Sequence, residues 1–105
     1  MRAKPDYAEA HFKLGNAFIH LGSGKEAMEH YRAALRLSPE YPAAHNGLAN
    51  LLAAVGSANE AIAHYREALR QKPDYAQAHN NLANVLTKCA RQNYLYKFYR
   101  RGDSV

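Results

Sequence analysis

PDYAEAH beginning at Pro5, PEYPAAH at Pro39 and PDYAQAH at Pro73 are one segment written three times, 34 residues apart. The same interval relates His11, His45 and His79, then Leu14, Leu48 and Leu82, then Asn16, Asn50 and Asn84. It also lays KEAMEHYRAALR (25–36) onto NEAIAHYREALR (59–70). Self-similarity at such a period describes a stack of small units, each burying its apolar face on its neighbours because it cannot do so alone.

Each unit reads as two helices. Ala10, Leu14, Ala17, Phe18 and Leu21 recur at spacings of three and four, which places them on one helical face. Gly22 and Gly56 stop the first helix, since glycine accepts the left-handed conformation of a helix end. Ser23 and Ser57 then stand where a capping side chain is wanted. The second helix carries Ala27, Tyr31, Ala34 and Leu35, repeated as Ala61, Tyr65, Ala68 and Leu69. Pro39 and Pro73 end it, because proline continues no helix and pushes its predecessor toward extended geometry. Ala10 with Gly15, and Ala44 with Ala49, are small enough to let paired helices approach, while Tyr31 and Tyr65 fill the space between pairs.

Leu14, Gly15, Phe18, Gly22, Ala27, Tyr31, Ala34 and Pro39, and again Leu48, Ala49, Leu52, Gly56, Ala61, Tyr65, Ala68 and Pro73, reproduce a known signature at its known offsets. In this the chain resembles the tetratricopeptide repeat family, over about residues 2 to 90. Its units are most similar to those of bacterial members and of the repeat domain of O-linked N-acetylglucosamine transferases. The resemblance implies an all-α fold, a right-handed α-solenoid of about three antiparallel helix-turn-helix repeats. It makes residues 1–105 one domain, with repeats at 5–38, 39–72 and 73–105. Histidine at 11, 45 and 79 departs from the family, which often has a large apolar residue there.

The third unit departs furthest. By the same interval NYLYKFYRRGD (93–103) falls on NEAIAHYREAL (59–69), so Tyr99 keeps the place of Tyr65, Leu95 takes that of Ala61, and Ala90 replaces the turn glycine. The expectation is a turn at Arg91-Gln92-Asn93, followed by a divergent second helix. The alternative is one helix of about 25 residues, roughly 38 Å at ~1.5 Å per residue, with an apolar face left for a second chain to cover. Tyr94, Leu95, Tyr96, Phe98 and Tyr99 are the candidate cap or self-association surface. RAKPDY (2–7) matches RLSPEY (36–41) and RQKPDY (70–75), so the chain opens at a repeat boundary. A piece of a longer array, or a short gene that arose from one, is the expectation, and self-association with it.

The resemblance also implies where a ligand sits: in a concave groove lined by the first helices, which in the family receives a peptide. Carried over by period, the polar lining is Lys13, Asn16 and His20, then Asn46 and Asn50, then Asn80, Asn81, Asn84 and Lys88. Six of these are asparagine. An asparagine amide both donates and accepts, which suits the main chain of an extended peptide. Asn81 agrees with the asparagine ladder of the transferase domains; Lys13 and Gly47 do not. A groove for chaperone tails holds a terminal carboxylate with lysine or arginine, and Phe12 stands at that lysine's place. The competing reading is a structural fragment whose asparagines are solvated surface.

Other chemistries find little footing. His11, His45 and His79 fall on successive pairs, about 10 Å apart, whereas one zinc needs nitrogens about 2 Å from a common centre; they read as packing residues, with His30 and His64 on helix flanks. No phosphate loop or ligand-spaced Cys/His set is present, so no cofactor, metal or catalytic activity is expected. Cys89 lies in line with Leu21 and Val55, and as the one cysteine it forms no internal disulfide, which suits a reducing, cytoplasmic setting. Residues 1–7 contain no apolar signal segment and no apolar run is long enough to span a bilayer. Net charge is +5, and from Lys88 onward five basic residues (Lys88, Arg91, Lys97, Arg100, Arg101) face one acid, Asp103. Nucleic acid is therefore a weak alternative confined to the tail, with aromatics stacking on bases. Arg101-Gly102-Asp103 is a chance tripeptide.

Overall fold

The computed structural model describes the backbone of residues 5–102 and the side chains of residues 7–92. Five helices follow one another: α1 (Pro5–His20), α2 (Gly24–Leu37), α3 (Pro42–Ala54), α4 (Ala58–Gln71) and α5 (Ala76–Gly102). No strand occurs among the described residues. α1 packs on α2 and α3 on α4; α2 then packs on α3, and α4 on α5. The pairs stack side by side, as the 34-residue interval requires.

Both expected glycine stops are present, with φ +79° at Gly22 and +89° at Gly56. Each closes a Schellman motif. The Ser23 amide reaches back to the Phe18 carbonyl at 2.8 Å and the Gly22 amide to Ile19 at 3.0 Å; Ser57 to Leu52 and Gly56 to Ala53 repeat this at 2.8 and 3.2 Å. The carbonyls at the end of each first helix are satisfied in this way. Ser23 and Ser57 hold the N-cap positions, but their side chains make no capping hydrogen bond. Their backbone carbonyls instead accept the amides of Ala27 and Ala61, each at 3.0 Å.

The core runs along the junctions between helices. Ala27, Tyr31, Leu48, Ala49, Leu52, Ala61, Tyr65 and Val85 form one buried cluster, with Phe12, Phe18, Leu82 and Cys89 packed against it. Tyr31 is its wedge. A Cβ added at Gly15 of α1 would lie 2.6 Å from the Tyr31 ring, and one at Gly47 of α3 would lie 2.9 Å from it. Glycine on both sides is what lets one aromatic ring fill the space between three helices. Ala10, expected at the contact within the first pair, is instead exposed; it lies on the outer side of α1, where no described helix covers it.

The expected turn at Arg91-Gln92-Asn93 does not form. α5 runs 27 residues without a break. Between Tyr75 and Arg101 there is no glycine or proline, and the positive-φ position that reverses the chain at Gly22 and Gly56 is here Ala90. Polar residues alone do not end a helix. Tyr94, Leu95, Tyr96, Phe98 and Tyr99 lie on this continuous helix, and their side chains are outside the described residues.

The histidines pack in pairs. His30 and His64, half-buried on the second helices, meet His11 and His45 of the first. His11 Nδ1 lies 3.0 Å from His30 Nδ1, and His45 Nδ1 lies 2.9 Å from His64 Nδ1. Each pair has ring centroids 5.2 Å apart, nearly two ring radii more than the nitrogen separation, so the rings meet end to end through an N–H···N bond. His45 Nε2 donates to the Pro39 carbonyl at 2.9 Å. A carbonyl only accepts, so His45 carries its proton on Nε2, and the proton between the rings is on His64 Nδ1. Each helix pair is thus tied near its outer edge by two imidazoles sharing one hydrogen. Among the described residues no three His, Cys, Asp or Glu side chains gather as metal ligands do.

Exposed charges add a second tie. Arg70 on α4 reaches Glu67 at 2.6 Å and Glu40, in the loop before α3, at 2.8 Å. The hydrogen bonds from Arg70 and Gln71 hold the Glu67 carboxylate down at about 2.

Two outcomes follow from these contacts. Gly47→Val forces the Tyr31 ring against Gly15 and costs about 1–3 kcal/mol, the price of overpacking a filled core; thermal unfolding followed by circular dichroism reads it. Burial, aided by the His45 and Arg32 charges and opposed by Glu60 and Glu67, holds His64 below its ordinary pKa. A depressed histidine contributes stability that is whole above its unfolded pKa, about 6.5, and that is lost as pH falls through the folded value. The melting temperature is therefore expected to be flat from pH 8 to 7 and to fall below about 6.5, with a shallower fall in His64→Gln. Glu67, also depressed, loses its contribution only near pH 4 and below (roughly), so the two windows separate.

Candidate functional site

The first helices of the pairs, α1, α3 and the first half of α5, share one side of the stack, and the asparagine positions fall on them. They do not form a uniform ladder. Tyr31 Oη donates to Asn16 Oδ1 at 2.5 Å, and Tyr65 Oη donates likewise to Asn50 Oδ1. The second-helix tyrosine thus passes through the core and fixes an asparagine of its own pair. With the carbonyl oxygen held, each amide NH2 is turned to donate. Burial pushes both phenols up, which keeps them protonated and donating.

Asn46 is withdrawn from the surface, only 6% exposed. It accepts from Asn81 Nδ2 at 3.3 Å, a bond that links α3 to α5. Tyr75 stands beside it: burial raises that phenol, and the Asn46 amide holds the rise back. Asn46 is therefore part of the packing between pairs rather than of a contact surface. One pair earlier the same position is Phe12, whose ring lies 5.7 Å from Tyr31 and 5.2 Å from Tyr41.

Three of the expected residues converge. Asn50, Ala53 and Ala54 of α3 face Asn84, Val85, Lys88 and Gln92 of α5 across an open concavity of about 380 Å³. Its lining mixes small apolar side chains with the amides of Asn50, Asn84 and Gln92 and the Lys88 ammonium. Ala53 and Ala54 leave the room that a larger residue would fill. Such a site can hold an extended chain, accepting from its amides and donating to its carbonyls, with the Lys88 positive charge between the two α5 amides.

The other expected residues lie elsewhere. Lys13 is exposed and pairs with Glu9 at 3.5 Å. His20 is exposed in the last turn of α1, and Asn80 is exposed on α5. Neither borders the concavity. Gln92 and Val85 were missed from the sequence: with a turn expected at 91–93, Gln92 had no place on a first helix. Their signal was the missing glycine, which keeps position 92 in phase with Lys88, one helical turn earlier.

A second hollow, about 450 Å³, lies between the start of α2 and the end of α3, lined by Gly24, Lys25, Met28, Leu51, Ala54 and Val55. It is almost wholly apolar, with Lys25 the one charged side chain among its lining, and lacks the several convergent polar groups that orient a ligand. Cys89 is half-buried against the core. No described helix is long and apolar enough to cross a membrane.

Comparison with known proteins agrees with this fold. A model described as TPR repeat matches residues 15–56 and 49–88. Among solved structures, the MamA protein superposes with TM-score 0.76 at 20% identity, covering 93% of this chain and 54% of that one, so the chain spans about half the length of MamA. The second TPR of Spaghetti (RPAP3), bound to the HSP90 peptide SRMEEVD, superposes with TM-score 0.78 at 17% identity, covering 91% of this chain and 89% of that one. The first TPR of the same protein, with the same peptide, gives TM-score 0.53 at 17% identity over 86% and 98%. Curated proteins yield no significant match. At these identities the superpositions speak for the fold. The repeat model covers well over half of the chain, and the chain belongs to the tetratricopeptide repeat family, whose members serve as protein-interaction scaffolds.

Proposed function

We propose that this chain is a non-enzymatic module that binds an extended peptide segment of a protein partner across the concavity between α3 and α5, and that it associates with copies of itself. The observation that carries the first part is the convergence of Asn50, Asn84 and Lys88 on one open hollow whose other lining residues include small apolar ones. Peptide-bound RPAP3 repeats of the same fold support it. Asn50, locked through its oxygen by Tyr65, presents its NH2 to a peptide carbonyl at no further cost in side-chain freedom. That pre-organisation favours recognition of main chain over side chains.

A terminal carboxylate of the chaperone-tail kind is a poor fit for the first pair. Phe12 stands where the clamping lysine would be, and its ring is occupied between Tyr31 and Tyr41. Lys88 is the cation at the hollow, so an acidic residue within the peptide, rather than its end, suits the site.

Screening a library of unstructured peptides against the whole chain, then measuring affinity by calorimetry, tests this reading. Asn50→Ala/Asn84→Ala is expected to weaken a selected peptide by about 10-fold or more, the loss of one or two hydrogen bonds of about 1 kcal/mol each, with the helical circular dichroism spectrum kept at the assay temperature and the melting temperature lowered, because Tyr65 Oη loses its acceptor. Lys88→Ala is expected to weaken acidic peptides selectively and to flatten their salt dependence. Unchanged affinity in both variants would place the ligand elsewhere.

A further inference from the structure

The face of α1 turned away from α2 is open, while the matching face of every later first helix is covered. Positions 34 residues apart make the comparison internal to the chain. Leu14 is 45% exposed; Leu48, its counterpart on α3, is 1% exposed. Ala10 is exposed where Ala44 and Ala78 are fully buried. Tyr7 is exposed where Tyr41 and Tyr75 are half-buried. The residues are alike in kind, so the difference lies in what covers them. On α3 the cover is α2, and on α5 it is α4. In both cases it is the second helix of a pair, presenting Tyr31 or Tyr65 and, one turn before, Met28 or Ile62.

The chain holds one more stretch in that register. Residues 93–102 occupy the second-helix place of the third unit, with Tyr96 at the position of Met28 and Ile62 and Tyr99 at that of Tyr31 and Tyr65. Because α5 does not turn, this stretch is not folded back as a second helix; α5 is twice as long as α3, 27 residues against 13. The chain therefore carries an uncovered first-helix face at one end and a second-helix sequence at the other.

We propose that these two ends are halves of one interface: the outer face of α1, centred on Ala10 and Leu14, takes the distal half of α5 from a second copy, centred on Tyr96 and Tyr99. This rests on the self-association proposed above and specifies its mode. The contact is heterologous, head to tail, so it propagates: each copy leaves one free face of each kind, and assembly continues unless the rotation between copies closes a ring. The joint would imitate the α4–α5 junction, where the receiving helix carries Asn81 rather than glycine at the position that is Lys13 on α1, continuing the solenoid from one molecule into the next.

Light scattering on the whole chain across a concentration series, with paired variants, tests the mode. Leu14→Glu blocks the α1 face and Tyr96→Glu/Tyr99→Glu blocks the tail. Leu14 is exposed, so its variant keeps the fold, which circular dichroism verifies; Ala10→Arg is a second block on the same face. The wild-type mass is expected to climb with concentration beyond twice 11.8 kDa, or to settle at a ring of three or more copies. Each variant alone is expected to be monomeric. Mixed in equal amounts, Leu14→Glu supplies a free tail and the tyrosine variant a free α1 face, so the mixture is expected to form a heterodimer and stop there. A wild-type dimer that survives Leu14→Glu and Ala10→Arg would overturn the head-to-tail mode while leaving self-association standing, since it would be a symmetric contact through α5. A wild-type monomer at every concentration would overturn both. Monomeric variants that fail to complement on mixing would also overturn the mode.

Discussion

Tyr31 and Tyr65 hold the stack together. Each springs from a second helix, fills the gap where its own pair meets the next, and ends with its hydroxyl on an asparagine of the first helix. A tyrosine ring at that point must have room, and Gly15 and Gly47 provide it around Tyr31. The ring contributes burial and the hydroxyl contributes direction, since the buried phenol has one acceptor within reach. Spacing between pairs, register of the first helices and orientation of Asn16 and Asn50 all follow from one side chain per repeat. The imidazole pairs add a tie at the other edge of each hairpin, so that its two helices are fastened by a buried tyrosine on one side and a shared proton on the other.

That arrangement explains why the asparagines are not interchangeable. An asparagine on a solvated helix face is free to point either end of its amide outward. Asn16 and Asn50 are not free, because their oxygens are occupied. Asn46 is used up in packing between pairs, with Asn81 as its partner. What remains available to a ligand is a short stretch between α3 and α5, where small alanines open the hollow and Asn84, Lys88 and Gln92 line its far wall. The length of α5 matters here: had the chain turned at 91–93, the wall would have ended near Lys88.

The two ends of the stack are chemically unlike, and both result from the same arithmetic. A repeat unit has a first-helix face that wants a second helix before it, and a second helix that wants a first helix after it. Within the chain those needs are met at α2–α3 and α4–α5. At α1 the first need stays open, which is why Leu14 and Ala10 face solvent while Leu48 and Ala44 do not.

By itself the sequence determined the pair architecture. The 34-residue interval, the positive-φ glycines and the prolines are local signals: each acts on backbone conformation within a few residues, so period and spacing suffice to read them. The continuous α5 was also written there, in the absence of any glycine between Tyr75 and Arg101, but polar Arg91-Gln92-Asn93 drew attention from it. Only the tertiary structure decided which asparagines are free, which histidines meet and which apolar faces are covered. Those depend on contacts between residues 15 to 35 apart in the chain, where one helix rotation of a few tens of degrees separates a bonded amide from a solvated one. Asn46 and Asn80 are alike in period, yet one is bonded to Asn81 and the other is exposed; what distinguishes them is the neighbour brought up by packing, a quantity that no single helix carries in its own sequence.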